Sequence, residues 1–276
     1  MGFKITLAGD QGSGKSTVAR LLVEQTGAAY HSAGQTARDM AAEKGMDIAA
    51  FNLWTESHPE IDYEIDGRLV RLSDDPRDLI VDSRMAWRFV RGSFAVFLFA
   101  DPVESARRIL EAGRATETFS TLDDALSGVR RRRESEIKRY ADLYGVNIKD
   151  PDNYDLSVDT TYASPAEVAA AILAAFADWQ AGERQKRRLI CPAHLSYPDD
   201  EPDHAALERH ALSIELGRPL PPVTVSLCDG AYRVLRDPEV ALAAAAAGLP
   251  HVPFVLSDAP LPEGVQFVKL ENLTAC

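Results

Sequence analysis

The chain has 276 residues, of which 46% are hydrophobic and 26% charged, a composition typical of a globular protein with one large domain or two ordinary ones. The formal net charge of −12 at pH 7 argues against broad nucleic-acid binding, which requires a basic face, although a local basic pocket is compatible with it. No apolar run reaches the roughly 18 residues of a membrane span, and a strand pattern begins almost at once, so neither a transmembrane helix nor a signal peptide is expected.

A complete phosphate-binding loop follows the first predicted strand, residues 3–7. The loop has the sequence Gly9-Asp10-Gln11-Gly12-Ser13-Gly14-Lys15-Ser16, and a helical pattern begins at Thr17. Glycines let backbone amides surround a polyphosphate, Lys15 reaches its β- and γ-phosphates, and the Ser16 hydroxyl is a ligand for Mg²⁺. The positive end of the following helix adds to this anion site. The sequence therefore predicts a nucleoside triphosphate bound by Gly9, Gly12, Ser13, Gly14, Lys15, Ser16 and Thr17.

Strand and helix patterns alternate from this loop to about residue 180. Further strands are predicted at 28–32, 79–82, 94–99 and 156–159, and further helices at 36–44, 48–55, 103–111, 122–144 and 165–180. The run 94–99 is apolar throughout, as expected of a strand covered on both faces. Five strands interleaved with helices predict a five-stranded parallel sheet with right-handed crossovers, the three-layer α/β fold of P-loop NTPases.

The polar stretch 182–188 predicts a domain boundary that divides the chain into residues 1–182 and 183–276. The same stretch is also explained as the solvated end of the preceding helix. Beyond it, two strands at 223–227 and 232–235 flank a turn at Asp229-Gly230, and a helix and a strand are predicted at 238–247 and 252–256. These elements predict a small α+β domain.

Arginine residues are concentrated on the helix predicted at 122–144, at Arg130–Arg133 and Arg139. In phosphoryl transfer the protein mainly positions two anions and spreads positive charge over the transferring group, which these side chains are able to supply. Arg133 and Arg139 are six residues apart and do not share a helix face well, so the helix must break or close over the site if both act. The alternative is a solvated face paired with Glu134 and Glu136.

Four further residues are candidates because of where the predicted elements place them. Arg38 lies one turn into a helix and is a candidate for holding the phosphate of an acceptor, and Arg84 follows the third strand at the edge where open α/β sheets bind ligands. Asp82 ends that strand beside the loop and is a candidate carboxylate for a magnesium-bound water, or else a helix cap. Asp62 is a candidate acceptor for an exocyclic amine, or else a surface residue.

Seven short segments follow one another in a characteristic order and spacing: 8–17, 31–34 with Arg38, 58–62, 82–87, 133–140, 144–150 and 154–156. Over residues 3–178 this series resembles the archaeal-type cytidylate kinase family, a short branch of the nucleoside monophosphate kinases. The resemblance implies the reaction of ATP with CMP or dCMP to give ADP and CDP or dCDP, with Mg²⁺ present.

The resemblance also implies roles for single residues. Lys15 and the loop amides hold the ATP phosphates, and Ser16 ligates magnesium. The residues that face the monophosphate are Ser32, Arg38 and Arg84. Arg133 and Arg139 come from a mobile lid that closes on the γ-phosphate, and closure excludes the water that would otherwise accept the phosphoryl group.

Two positions depart from the family pattern and leave the acceptor open. Ser83 stands where the family usually has glycine, and Asp10-Gln11 replaces the small or proline residues often found in the loop. A β-carbon at position 83 alters the backbone where it approaches the acceptor. The alternatives are therefore a kinase of another small metabolite or modified nucleotide, or an ATP-binding regulatory protein that acts through its C-terminal domain.

Residues 189–268 resemble the ParB-like or sulfiredoxin-like nucleotide-binding fold through segments 220–225, 229–235 and 248–253. That family has a Gly-His-His-Arg-like stretch where this chain has Asp237-Pro238-Glu239-Val240, and the carboxylates repel anions. The resemblance thus implies a domain that has lost phosphate chemistry and acts in regulation, partner docking or self-association. Three widely spaced cysteines, Cys191, Cys228 and Cys276, indicate reduced thiols and a cytoplasmic protein.

Overall fold

The structure, a computed structural model, describes residues 2–55, 57–112 and 119–272, so that Cys276 lies outside the described residues. Five of its strands are β1 (Lys4–Gly9), β2 (Ala29–Ser32), β3 (Leu79–Asp82), β4 (Phe94–Phe99) and β5 (Leu156–Asp159). They are ordered β5-β4-β1-β3-β2, and every neighbouring pair is parallel. The predicted five-stranded parallel sheet of a P-loop fold is confirmed.

Eight helices of the described chain accompany these strands: α1 (Lys15–Thr26), α2 (Ala33–Glu43), α3 (Ile48–Thr55), α4 (Pro59–Leu72), α5 (Ala86–Phe89), α6 (Pro102–Glu111), α7 (Leu122–Tyr144) and α8 (Pro165–Gln180). Alternate side chains of β4 point to opposite faces of the sheet. On one face Val96 and Leu98 pack with Leu22 of α1 and Ile172 of α8 in a fully buried cluster. The helices α1 and α8 therefore form one outer layer.

The remaining elements extend the same sheet. They are β6 (Arg187–Ile190), β7 (Ser196–Pro198), α9 (His204–Glu215), β8 (Val223–Cys228), β9 (Ala231–Arg236), α10 (Pro238–Ala246), β10 (Val252–Leu256) and β11 (Phe267–Lys269). Strand β6 runs parallel to β5 and antiparallel to β10, and the order continues β10-β8-β9-β7-β11. The result is one sheet of eleven strands in the described chain.

The second face of β4 is covered by the C-terminal region. Phe97 and Phe99 of β4 belong to one buried cluster with Val225, Val234 and Phe254, which come from β8, β9 and β10. Burying side chains of this size stabilises a fold by about 1.5–3 kcal/mol each. The two parts of the chain therefore share a core as well as a sheet.

Several elements do not follow from the sequence patterns: α4, α5, β6, β7, α9 and β11. Pro59 opens α4, because proline is well suited to the first turn of a helix. Arg187 and Arg188 lie in the polar stretch of the predicted boundary, yet they begin β6. Within the described ranges, no helix has both the length and the apolar character of a transmembrane span.

A fully buried carboxylate, Asp159, joins the end of β5 to the C-terminal region. Its oxygens accept hydrogen bonds from the amide and hydroxyl of Thr161 (2.9 and 2.5 Å), the amide of Cys191 (3.1 Å) and Nδ1 of His194 (2.7 Å). Its carbonyl accepts from Nε2 of His251 at 2.7 Å. Burial opposes ionisation, but His194 and the Thr161 hydrogen bonds outweigh it and lower the pKa of Asp159.

We expect Asp159→Ala to lower the free energy of unfolding by about 3 kcal/mol or more, because it leaves several buried donors without an acceptor. Urea denaturation at neutral pH measures the change. The control is Asp152→Ala, which removes the ion pair between an exposed carboxylate and the partly buried Arg188 (2.6 Å) and should cost about 1 kcal/mol or less. Equal losses in the two variants would contradict a special role for Asp159.

Candidate active site

The phosphate loop depends on two glycines that adopt left-handed backbone conformations. Gly12 and Gly14 have φ of +77° and +75°, which side chains disfavour, and a β-carbon at position 12 would lie 2.6 Å from the carbonyl oxygen of Ser105. The Ser13 hydroxyl donates to the carbonyl of Asp10 at 2.8 Å and fixes the turn. The N-cap residue of α1 is Gly14, which makes no side-chain hydrogen bond to the first amides of the helix. A helix N-terminus of this kind is suited to binding an anion.

Lys15 lies against the carboxyl end of β3. Its Nζ atom is 3.3 Å from Oδ1 of Asp82, and both side chains are largely buried. Burial lowers the pKa of Lys15, while Asp82 opposes this shift. The Tyr30 hydroxyl donates to Oδ2 of Asp82 at 3.1 Å, and burial together with that carboxylate raises the pKa of Tyr30 to about 12. Asp82 thus lies beside the loop, where the sequence predicts it, and the exposed Ser16 is the second residue of α1.

Helix α7 closes over the loop without a break. Arg133 donates from Nη2 to Oδ2 of Asp10 in the phosphate loop at 2.7 Å. Arg139 donates from Nη2 to both carboxylate oxygens of Asp62 on α4, at 2.6 and 2.5 Å. Because the two arginines are six residues apart, they lie on different faces of the helix and bind different partners. Both remain candidates for phosphate binding.

Helix α7 also contacts the segment after β3. Nε of Arg84 lies 2.5 Å from Oε2 of Glu136, and Oε1 of the same carboxylate accepts from Nε of Arg132 at 3.1 Å. Burial opposes ionisation of Glu136, but Arg84 and Arg132 outweigh it and lower its pKa. The remaining residues of the arginine tetrad, Arg130 and Arg131, are exposed. Part of the tetrad is therefore a solvated face and part of it belongs to the site.

Ser32 ends β2, the strand next to β3, and Arg38 lies in the following helix α2. Ser32 is opposite Asp82 in the β2–β3 register, and its hydroxyl caps α2 by accepting from the amide of Gln35 at 3.3 Å. Arg38 is exposed and donates to the side-chain oxygen of Gln35 at 2.9 Å. The positive charge of Arg38 opposes the rise in the pKa of Tyr30, whose hydroxyl donates to the Asp82 carboxylate. These two residues flank the strand edge rather than the loop.

Lys149 was not among the predicted site residues, although it lies in 144–150, one of the seven segments that carry the family resemblance. Its Nζ atom donates to Oδ1 of Asp10 and lies 5.0 Å from the ring centroid of Phe97. Burial lowers the pKa of Lys149 to about 8. No local pattern marks Lys149 as a site residue, because its partner Asp10 is 139 positions away. The only signal in the sequence is that a lysine follows soon after helix α7. Tyr30 carries no such signal, whereas the pairing of Glu136 with Arg132 agrees with the alternative given by the sequence.

Each of the central cations is held by a carboxylate of the protein. The pairs are Lys15–Asp82, Arg84–Glu136, Arg133–Asp10 and Arg139–Asp62. Partly buried charges of this kind are stable only when paired and hydrogen-bonded. A phosphorylated ligand that binds here must therefore exchange these carboxylates for its own oxygens.

A parallel sheet in this order, a phosphate loop after its first strand and arginines on a helix that closes over the loop define a P-loop kinase. The family described as AAA domain matches residues 5–139. The cytidylate kinase of Methanothermobacter thermautotrophicus is 38% identical over 156 residues, which are 56% of this chain and 94% of that protein. That of Thermoplasma volcanium is 36% identical over 174 residues, 62% and 89% of the two chains.

The chain therefore belongs to the archaeal-type cytidylate kinase family and is a kinase phosphotransferase. A third relative is a larger protein, the S-adenosylmethionine-dependent nucleotide dehydratase of Lacinutrix mariniflava. It is 34% identical over 171 residues, which are 62% of this chain and 35% of that protein. The alignments leave more than a third of this chain without a counterpart in these three relatives.

A buried acid on α4 makes the stability of this region depend on pH. Oδ2 of Asp66 accepts a hydrogen bond from the Tyr144 hydroxyl. Burial and the nearby Asp62 raise the pKa of Asp66 to about 6, against the opposing effects of Tyr144 and Arg139. Because the folded state binds this proton more tightly than the unfolded chain, the contribution of Asp66 to stability is present at acid pH and lost as the pH rises through about 6.

Asp66→Asn has no charge to bury. We therefore expect its free energy of unfolding, relative to that of the native chain, to rise by about 1–2 kcal/mol when the pH is raised from 4.5 to 8. Urea denaturation at the two pH values measures the gain. Asp74→Asn, at an exposed carboxylate paired with Arg91, is the control and should show the same difference from the native chain at both values. A difference for Asp66→Asn that does not change with pH would refute the assignment.

Proposed function

We propose that this chain transfers the γ-phosphoryl group of ATP to a pyrimidine nucleoside monophosphate, CMP or dCMP, in a Mg²⁺-dependent reaction that yields ADP and CDP or dCDP. The observation that carries this proposal is the arrangement of cations at one sheet edge. Lys15 belongs to the phosphate loop, whereas Arg84 lies at the end of the neighbouring strand β3 and is reached from α7 through Glu136. Two anions bound on these two sides would face each other. The names of the relatives support the pyrimidine acceptor.

On the donor side, we assign the triphosphate to the loop and to Lys15. The oxygen donors that fit Mg²⁺ are the Ser16 hydroxyl and the Asp82 carboxylate, because this ion is usually held by one or two protein oxygens together with phosphates and water. No cluster of three metal-binding side chains occurs among the described residues, and such a site does not need one. When bound, Mg²⁺ supplies positive charge that offsets the charge of the phosphates.

On the acceptor side, we assign the monophosphate to Ser32, Arg38 and Arg84. Asp62 is our candidate acceptor for the exocyclic amine of cytosine. Its carboxylate lies on α4 and accepts a hydrogen bond from Arg139. No general base is required, because the attacking phosphate oxygen is ionised at neutral pH. Arg133 and Arg139 are the residues that we expect to stabilise the charge of the transferring group.

We further propose that residues 1–182 carry this reaction and that residues 183–276 act in regulation, partner docking or self-association. The high coverage of the Methanothermobacter relative, 94% of its length, supports the first part, because it indicates that a kinase needs little beyond the matched region. The buried cluster shared by β4 and the strands β8–β10 supports a coupling of the C-terminal region to the site.

Two other functions stay open. The buried Ser83, whose hydroxyl accepts from the amide of Met85 at 3.3 Å, favours an acceptor other than the family's, because it adds a side chain beside Arg84. The second is an ATP-binding regulatory protein without turnover. Retention of Lys15, Arg133 and a continuous α7 argues against it, because nucleotide binding alone has little need of lid arginines.

The test is a panel of ribo- and deoxyribonucleoside monophosphates with ATP and Mg²⁺, in which ADP release and the phosphorylated product are both measured. We expect turnover with CMP or dCMP, and a loss of about a thousandfold in Lys15→Met, which removes the cation that binds the transferring phosphate. Turnover with a different acceptor supports the second candidate. ATP binding without any turnover supports a regulatory protein and contradicts the proposal.

Arg38→Ala should raise the KM for the monophosphate by about tenfold or more, the value of one charged hydrogen bond, and leave the KM for ATP unchanged. Steady-state kinetics with each substrate varied in turn gives both constants. The matched control is Arg91→Ala, at an exposed arginine paired with Asp74, which should alter neither constant. Unchanged acceptor kinetics in Arg38→Ala would remove this residue from the site.

A further inference from the structure

Asp10 is an unusual feature of the phosphate loop, because it places a buried carboxylate among groups that bind phosphate. Its amide donates to the carbonyl of Leu98 at 2.8 Å and its carbonyl accepts from the Ser13 hydroxyl, so the backbone is fixed. One carboxylate oxygen accepts from Arg133 and the other from Lys149. Each oxygen therefore has a cation of its own.

The two cations reach Asp10 from separate parts of the chain. Arg133 projects from α7, whereas Lys149 belongs to the segment that follows this helix. The amide of Lys149 donates to Oδ1 of Asn147 at 3.0 Å, and the Tyr154 hydroxyl holds the carbonyl of the preceding residue at 2.8 Å. Lys149 is thus anchored by contacts that do not involve helix α7.

Two cations, Arg133 and Lys149, share the single carboxylate of Asp10, and Asp101 and Glu136 also act electrostatically on Arg133. The carboxylate side chain is 6% exposed, whereas Arg133 is 31% and Lys149 21% exposed, so the cations are the more accessible groups. A pair with a purely structural role needs only one cation. This arrangement suits an anion with more charge and more oxygens than a carboxylate.

We propose that Lys149 is a further ligand of the donor γ-phosphate, and that Asp10 holds Lys149 and Arg133 at the loop until this phosphate takes over their hydrogen bonds. The inference rests on the proposed use of ATP. A γ-phosphate carries more negative charge than Asp10 and has three terminal oxygens to share between the cations. After transfer, ADP has no γ-phosphate, and Asp10 pairs with both cations again. Asp10 therefore competes with the γ-phosphate of ATP for these cations and does not compete with ADP, which has no such group.

The experiment measures equilibrium binding of ATP and of ADP, with Mg²⁺ and without any acceptor, to the full chain by calorimetry. Lys149→Met should weaken ATP binding about tenfold or more and ADP binding less than about threefold. Asp10→Asn should tighten ATP binding by about threefold or more, because it removes the competing charge, and leave ADP nearly unchanged. Lys149→Arg, which keeps the charge, should retain most of the ATP affinity.

The matched control is Lys186→Met, at an exposed lysine that donates to the carbonyl of Asp152 and should change neither affinity. The proposal is overturned if Lys149→Met weakens ATP and ADP equally, or neither. It is also overturned if Asp10→Asn weakens ATP binding, since the carboxylate would then serve only to shape the loop. Thermal unfolding of each variant identifies a loss of folding.

A measurement on the native chain avoids the risk that a variant fails to fold. Labelling with an amine-reactive reagent, followed by mass spectrometry, should find Lys149 less reactive with ATP than with ADP, and Lys186 equally reactive with both. Equal labelling of Lys149 contradicts the proposal. Because no acceptor is present, a chain that binds ATP but does not phosphorylate CMP refutes the proposed reaction and leaves this result intact.

Discussion

Neighbouring parallel strands end at the same edge of a sheet, and this constraint positions the site. The β1–β3 register sets Leu7 opposite Asp82, two residues before the phosphate loop begins. The loop then turns back through Gly12 and Gly14, whose left-handed backbone favours glycine, and places Lys15 beside the Asp82 carboxylate. The position of the lysine thus follows from backbone geometry. Helix α7 and the segment after β3 are arranged around this ion pair.

Charge compensation is the second theme of the site. An acidic chain that gathers several cations in a partly buried space must offset their cost of desolvation, and it does so with one carboxylate for nearly every cation. Because paired charges cancel at a distance, these cations attract a ligand only when it is close to the site. This arrangement favours binding of small polyanions over extended ones. Ligand binding then becomes an exchange of partners, so that affinity depends on the difference between phosphate and carboxylate rather than on attraction alone.

The sequence is sufficient where the signals are local. The phosphate loop and the strand β4 follow from short runs of residues, and so do the positions of the first five strands along the chain. The helix α4 was missed because Pro59 resembles a breaker in isolation and becomes a favourable first residue only in the helix. Strand β6 was missed because Arg187 and Arg188 lack a strand pattern. Its pairing depends on β5 and on ion pairs with residues as distant as Asp152.

In the candidate site too, residues in local motifs were predicted and contacts between distant residues were not. Lys15, Asp82, Arg84, Arg133, Arg139 and Asp62 are found close to one another or to the loop, as motif order suggests, because each belongs to a recognisable segment. The pairings of Arg84 with Glu136 and of Arg133 with Asp10 were not predicted. Glu136 and Asp10 act through contacts across 52 and 123 positions, and no periodicity in a single sequence reports such pairings. Lys149 was overlooked for the same reason.

Extension of the sheet by the C-terminal region has a consequence for self-recognition between copies. An uncovered strand edge is a template for aggregation, and β6 occupies the edge that β5 would otherwise present. In the described chain the outermost strands are β2 and β11, of four and three residues. Edges this short recruit foreign strands poorly. The added residues therefore shield the catalytic strands from intermolecular pairing while lengthening the sheet.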